Sequence, residues 1–140
     1  FERTLSVFEE IYARRWESIA ELNLGVIRRL REMLGIGDKP DVRASTLDCS
    51  EEPTDRLIDI CRALGADTYL AGAGGAAYMD LARFEQRGVR VIFQKFEHPV
   101  YPQVYAGFEP QLSTVDLVFN CGPESAAVIR EAYITPRGAT

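Results

Sequence analysis

An α/β fold, layered and Rossmann-like, with a short, mainly parallel sheet flanked by helices, is what three features of this 140-residue chain predict. From Lys39 onward, short runs of strand-forming residues alternate with stretches of helical periodicity. Strand, helix, strand in succession requires parallel crossovers. Glycines stand where those runs end, as in "YLAGAGGAAYMD", and the length suits one ordinary domain built on one core.

Each element has its own local reason. In "ESIAELNLGVIRRLREMLGIG" the residues Ile19, Leu22, Val26, Ile27, Leu30, Met33 and Leu34 recur at spacings of three and four, which places them on one helical stripe. Gly35 and Gly37 supply the stop. A shorter helix, around Leu5 to Arg14, precedes it, with Trp16 near the junction. "DVRAST" reads as a short strand, "EEPTDRLIDICRALG" as a helix with Leu57, Ile60, Cys61 and Leu64 inward, and "ADTYLAG" as a second strand. "GAAYMDLARFEQRG" reads as a helix presenting Tyr78, Leu81, Ala82 and Phe84, closed by Gly88, and "VRVIFQKF" is the clearest strand. "EHPVYPQVYAGFEPQ" carries three of the seven prolines and is expected to be a structured loop, since each proline removes an amide donor. Ser113 caps a helix through "TVDLVFNCG" with Gly122 as its stop, and Pro123 opens a last helix through "ESAAVIREAYI". The tail "TPRGAT" is expected to fray. With no internal repeat or linker, residues 1–140 read as a single α/β domain.

Composition narrows the function. A net charge of −5, from 21 acidic and 16 basic side chains, argues against nucleic acid, which requires a clustered basic face. The one dense basic cluster, Arg28, Arg29 and Arg31, fits the wet side of a helix. No apolar run approaches the roughly 20 residues of a membrane span. The three cysteines, Cys49, Cys61 and Cys121, are far apart and lack C-x-x-C spacing, so neither a disulfide framework nor a metal site is expected, and a reducing, cytoplasmic setting fits. The first residue is Phe1 and the opening stretch lacks the pattern of a signal peptide, so the chain is expected to be the C-terminal part of a longer protein. No pattern names a cofactor or an oligomeric state.

Three constellations carry chemistry. The glycine cluster sits between a strand and a helix, where amides of Gly74, Gly75 and Ala76 could meet an anion with the helix N-terminus behind them. Gly72, Gly74 and Ala77 satisfy G-x-G-x-x-G/A, with Glu97 at about the distance of a ribose-binding acid. Glycines at such a turn equally serve close packing. The second constellation is "FQKFEHPVYPQVYAGFEPQLS". Ligands of α/β sheets gather beyond the carboxyl ends of the strands, so Gln94, Lys95, Glu97, His98, Tyr101, Gln103 and Tyr105 are expected to meet Gly72 to Gly75, Tyr78 and Asp80 across one pocket. His98, the only histidine, could be general base or acid, because imidazole exchanges protons readily near neutrality, with Glu97 or Asp80 to orient it. It could also be a hydrogen-bonded turn residue, and the aromatic residues around it loop packing. The third is "DLVFNCGPES", where Asn120 and Cys121 end one helix and Glu124 and Ser125 begin the next. Cys121 as nucleophile has nothing nearby in sequence to lower its pKa, and Asp116 reads as a solvated or capping carboxylate.

"YLAGAGGAAYMD", then "VIFQKFEHPVYPQ" and "FEPQLSTVDLVFNCG", resemble the WbqC-like protein family of bacteria, with "ELN" and "LG" matching more loosely. The resemblance runs from about Trp16 to Glu124. It implies a part in surface-polysaccharide (O-antigen) biosynthesis, where transfer of glycine or another small acyl group to an amino sugar has been proposed for the family. It also implies that Gly72, Gly74, Gly75, Tyr78 and Asp80 belong with Gln94, His98, Pro99, Tyr101 and Gln103, and with Asn120 and Gly122. The expected function is thus a cytoplasmic transferase acting on an activated sugar or acyl donor. His98 and Asp80 would be catalytic, and Gly72, Gly74, Gly75, Tyr78, Gln94, Tyr101, Gln103 and Asn120 would bind substrate. The alternative is a noncatalytic module that binds a small ligand or partner subunit through the Pro- and Tyr-rich loop.

Overall fold

The computed structural model describes residues 1–37 and 40–132, which divide into two compact units. One is formed by residues 40–95 and the other by residues 1–37 together with 96–132.

Residues 40–95 form the α/β unit. Two parallel strands, β1 (Thr68–Ala71) and β2 (Arg90–Phe93), pair with Tyr69 opposite Val91 and Ala71 opposite Phe93. Numbering helices along the whole chain, α3 (Pro53–Ala63) precedes the strands and α4 (Leu81–Gln86) crosses between them. Side chains alternate across a strand. Tyr69, Ala71, Val91 and Phe93 therefore face the core made with Ile58, Cys61, Met79, Phe84 and Val89, while Leu70 on the other face is exposed. Phe84 stacks on Tyr69 at 5.7 Å between ring centroids. Pro53 sits in the first turn of α3, where its missing amide costs nothing, and the Glu52 carboxylate accepts from the Asp55 N–H at 2.8 Å.

Two expectations here need correction. "DVRAST" is no strand, because Asp41 to Arg43 have no regular structure and Ala44–Thr46 form a 3-10 turn. Its one large apolar side chain, Val42, is 48% exposed, and the Thr46 hydroxyl and N–H both donate to the Arg43 carbonyl, a local bond that competes with strand pairing. The helix expected from the glycine cluster begins later. Ala73–Ala77 form a 3-10 turn, and α4 starts only at Leu81, with Asp80 as its cap. Tyr78, Leu81 and Ala82 are consequently exposed, and Phe84 alone of the four expected inward residues is buried.

The helical unit joins α1 (Glu2–Ala13), α2 (Ile19–Leu34), α5 (Thr114–Cys121) and α6 (Ser125–Ala132). Phe8, Ile11, Leu34 and Val118 are its buried centre, packed by Leu22, Val26, Leu30, Met33, Phe119 and Ile129. Ile19 and Ile27, expected on the buried stripe of α2, are exposed. Ser18 caps α2, and Gly35 ends it in the left-handed region at φ 64°, as a glycine stop requires. Trp16 donates its indole N–H to the Ile11 carbonyl at 2.8 Å, and Gly25 leaves room for its ring: a Cβ there would lie 2.5 Å from Trp16 Cη2. Arg29 pairs with Glu10 and Glu32 on the wet side of α1 and α2. Residues 97–112 hold no helix or strand, as the prolines predict. The expected fraying of the tail concerns residues outside those described. Among the described residues no helix is long and apolar enough to cross a membrane.

Candidate functional site

Six of the ten predicted site residues, Gly72, Gly74, Gly75, Tyr78, Asp80 and Gln94, lie in the α/β unit, and four, His98, Tyr101, Gln103 and Asn120, lie in the helical unit. The first set has its own local explanations. Gly75 is buried, and a Cβ on it would meet Met79 Cε at 2.8 Å and the Ala71 Cβ at 3.2 Å. It is a packing glycine. Its N–H donates to the Gly72 carbonyl at 2.9 Å inside the 3-10 turn, which removes it as an anion donor. Gly72 and Gly74 face open space. Tyr78 is 70% exposed. Asp80 accepts from the Arg83 N–H at 3.1 Å and belongs to a charge cluster in which the Arg83 guanidinium also reaches Glu52 at 3.0 Å and Asp55 at 3.3 Å. The backbone bonds from Asp55 and Thr54, followed by the Arg83 charge, hold the Glu52 carboxyl below its usual range against the opposing effect of burial. The Gln94 N–H extends the sheet ladder to the Ala71 carbonyl at 2.8 Å.

The second set converges. His98 is half-buried among rings, with centroids 6.0 Å from Tyr101, 6.0 Å from Phe108 and 6.5 Å from Phe96. Its Nδ1 lies 3.0 Å from the Pro99 carbonyl. A carbonyl oxygen only accepts, so Nδ1 carries the proton and the basic lone pair falls to Nε2. Tyr101, 5% exposed, donates its hydroxyl to Asp116 Oδ2 at 2.9 Å. Gln103 Nε2 donates to the same oxygen at 3.3 Å and to the Glu109 carbonyl at 3.0 Å, while Gln103 Oε1 accepts from the Glu109 N–H at 2.8 Å. Its side chain thereby clamps both ends of the 103–109 loop. Asn120 Nδ2 donates to the Asp116 backbone carbonyl at 2.9 Å.

Two cavities flank this network. One, of about 220 Å³, is walled by His98, Tyr101, Phe96, Leu112, Leu117 and Ile129. The other, of about 590 Å³, is walled by Gln103, Tyr105, Phe108, Glu109 and Asp116, and shares Leu112 with the first. The Tyr101–Asp116 bond thus joins a wall of each.

A family model described as the WbqC-like protein family matches residues 1–128. The chain belongs to this family. An uncharacterized protein of Mycobacterium tuberculosis (strain ATCC 25618 / H37Rv) is 27% identical over 114 residues, which cover 81% of this chain and 49% of that protein. The chain therefore spans about half the length of the curated relative it matches. No solved structure matches it significantly.

The residue of this WbqC-like chain that sequence reasoning underrated is Asp116. In "STVD" it stands in the first turn of a helix capped by Ser113, where it reads as a solvated or capping carboxylate. Ser113 does cap α5, accepting from the Val115 N–H at 3.2 Å, but the Asp116 side chain reaches to Tyr101 and Gln103. The prolines and glutamine of "YPQ" hint at a fixed loop; no local signal names the loop's anchor. Burial, followed by the Asp116 charge, pushes the Cys121 thiol up, which disfavours the thiolate a nucleophile needs. Among the described residues no cluster of three or more His, Cys, Asp or Glu could hold a metal ion.

Proposed function

We propose that this chain takes part in transferring a small acyl or aminoacyl group, glycine being the group suggested for the family, to the amine of an amino sugar in bacterial surface-polysaccharide biosynthesis. The observation that carries the reading is His98, seated on the wall of a cavity of about 220 Å³ with Nδ1 bound to the Pro99 carbonyl. A base held this way presents Nε2 in one tautomer. The acceptor amine attacks the carbonyl carbon of an activated acyl donor, the carbon–nitrogen bond forms as the donor's leaving group departs, and Nε2 takes the proton lost by the amine. The apolar walls supplied by Phe96, Leu112, Leu117 and Ile129 suit a small acyl group. The test is acyl transfer by the protein, followed by mass of the product. His98→Ala is expected to lower kcat by about 10²–10⁴-fold with the fold intact; a variant of unchanged rate overturns the base.

A noncatalytic module that docks a ligand or partner through the same loop is favoured by one observation: Val100, Val104 and Tyr105 are exposed on it at 78%, 82% and 86%. Under that reading Tyr105→Ala weakens partner capture and no donor yields product.

A further inference from the structure

The outer edge of β2 is shaped to take another strand. Among the described residues the sheet consists of β1 and β2, so each strand is an edge. The Arg90 N–H donates to the Asp67 carbonyl and the Gln94 N–H to the Ala71 carbonyl, both at 2.8 Å, which turns the even-numbered residues of β2 toward β1. Backbone groups alternate in direction along a strand. Val91 and Phe93 therefore present N–H and C=O outward, where no described strand takes them. A trough of about 610 Å³ runs beside this edge, walled by Leu81, Phe84, Glu85, Val91 and Phe93, and Leu81 in that wall is 43% exposed. We infer that β2 pairs edge to edge with β2 of a second copy of this chain, antiparallel and centred on Ile92, to make one four-stranded sheet.

The charges make this edge its own complement. Glu85 shares the trough wall with Gly88, Val89 and Arg90, so it lies by the start of β2. Lys95 lies just past the end of β2 and continues the alternation that puts Val91 and Phe93 on the face carrying α4. Both Glu85 and Lys95 are exposed, and neither forms an ion pair among the described residues. In the antiparallel pair each Val91 stands opposite the other copy's Phe93, so their outward groups close two pairs of backbone bonds. Ile92 meets Ile92, a β-branched pair on the opposite face. Lys95 of each copy comes opposite Val89 of the other, beside its Glu85. A slip of two residues keeps the backbone bonds but carries Lys95 about 7 Å along the strand from Glu85, and a slip of one turns the apolar side chains to the wrong face. The charge pair thus fixes the register. A contact of this extent belongs to the weak, reversible class of interfaces. It is independent of the acyl-transfer reading.

The experiment is sedimentation velocity from about 1 μM to 1 mM protein, with amide hydrogen exchange of the ¹⁵N-labelled protein at both ends of that range. A monomer–dimer equilibrium is expected. The Val91 and Phe93 amides should gain at least about tenfold protection as dimer forms, while those of Arg90 and Gln94, already bonded to β1, change little. Lys95→Glu and Glu85→Lys are each expected to weaken dimerisation by about tenfold, because two symmetric contacts turn repulsive, and the double variant to restore it to within about threefold. Val91→Pro removes an outward donor without touching the ladder to β1 and is expected to leave a monomer. The charge reversals sit on exposed residues, so they remain decisive if Val91→Pro loosens the core. A monomer at every concentration overturns the inference, as does a dimer indifferent to both reversals. Val91 and Phe93 amides protected in the monomer would mean that another segment occupies the edge, and overturn it equally.

Discussion

Replacing Asp116 by Ala removes the acceptor of two bonds at once. The Tyr101 hydroxyl, on a residue 5% exposed, loses its partner at 2.9 Å, and Gln103 loses a weaker one at 3.3 Å. A hydrogen bond to a charged group contributes about 1.5–3 kcal/mol, and the half-buried position of Asp116 places it toward the lower end. Leaving the buried hydroxyl unpaired costs about 1–3 kcal/mol. The two figures overlap as descriptions of one lost bond, so Asp116→Ala is expected to cost about 2–3 kcal/mol. Tyr101→Phe keeps the ring and removes the hydroxyl with its bond, so the orphaned group is the more solvated carboxylate, and about 1–1.5 kcal/mol is expected. In the double variant neither group is stranded, which makes the coupling energy about 1 kcal/mol. Urea unfolding of the four proteins, read by tryptophan fluorescence and far-ultraviolet circular dichroism, measures it. Coupling under about 0.3 kcal/mol, or single variants that unfold like the parent, would refute the convergence of Tyr101 on Asp116 as a stabilising feature.

Gly25→Ala should destabilise by about 2–3 kcal/mol through overpacking, because its Cβ would stand 2.5 Å from a rigid indole atom of Trp16, and a Trp16→Leu background should relieve most of the loss in thermal melts. Gly75→Ala should cost about 1–2 kcal/mol against Met79 and Ala71, whereas Gly74→Ala, facing open space, should stay within about 0.5 kcal/mol; equal effects would contradict the packing assigned to Gly75. Burial first, and the Asp116 bond second, raise the Tyr101 hydroxyl above its ordinary value. A raised folded pKa means that its contribution is whole below the unfolded tyrosine value of about 10 and is lost as pH rises through the higher folded value. Burial acts in the same direction on Tyr69, Cys61 and Cys121, so the measurement is the difference between wild type and Tyr101→Phe in urea midpoint between about pH 8 and 11. The parent should lose more; parallel curves would contradict the assignment.

Much of the candidate site was legible as a list of residues, and little of it as an arrangement. "EHPVYPQVYAGFEPQ" announces an ordered loop because proline restricts its own backbone and that of its predecessor. His98, Tyr101, Gln103 and Asn120 are visible in it and just beyond it as polar or aromatic candidates. That Tyr101 and Gln103 meet at Asp116 is invisible, since they lie 15 and 13 residues from that partner and spacing in a loop carries no period. The glycine cluster shows the opposite failure: a pattern read as a helix start with free amides is a 3-10 turn whose Gly75 amide is already used.

What the amino-acid sequence determined by itself is local. Apolar spacing and caps placed α1, α2, α3 and α5, Gly35 and Gly122 ended α2 and α5, and the strand–helix–strand alternation required β1 and β2 to run parallel. These follow from contacts within a few residues, which the chain cannot avoid. The tertiary structure alone decided the rest: that Gly25 admits an indole, and that Asp116 turns from its own helix start to anchor a loop. Each depends on which distant groups packing brings within hydrogen-bond or van der Waals reach, and no local propensity encodes that.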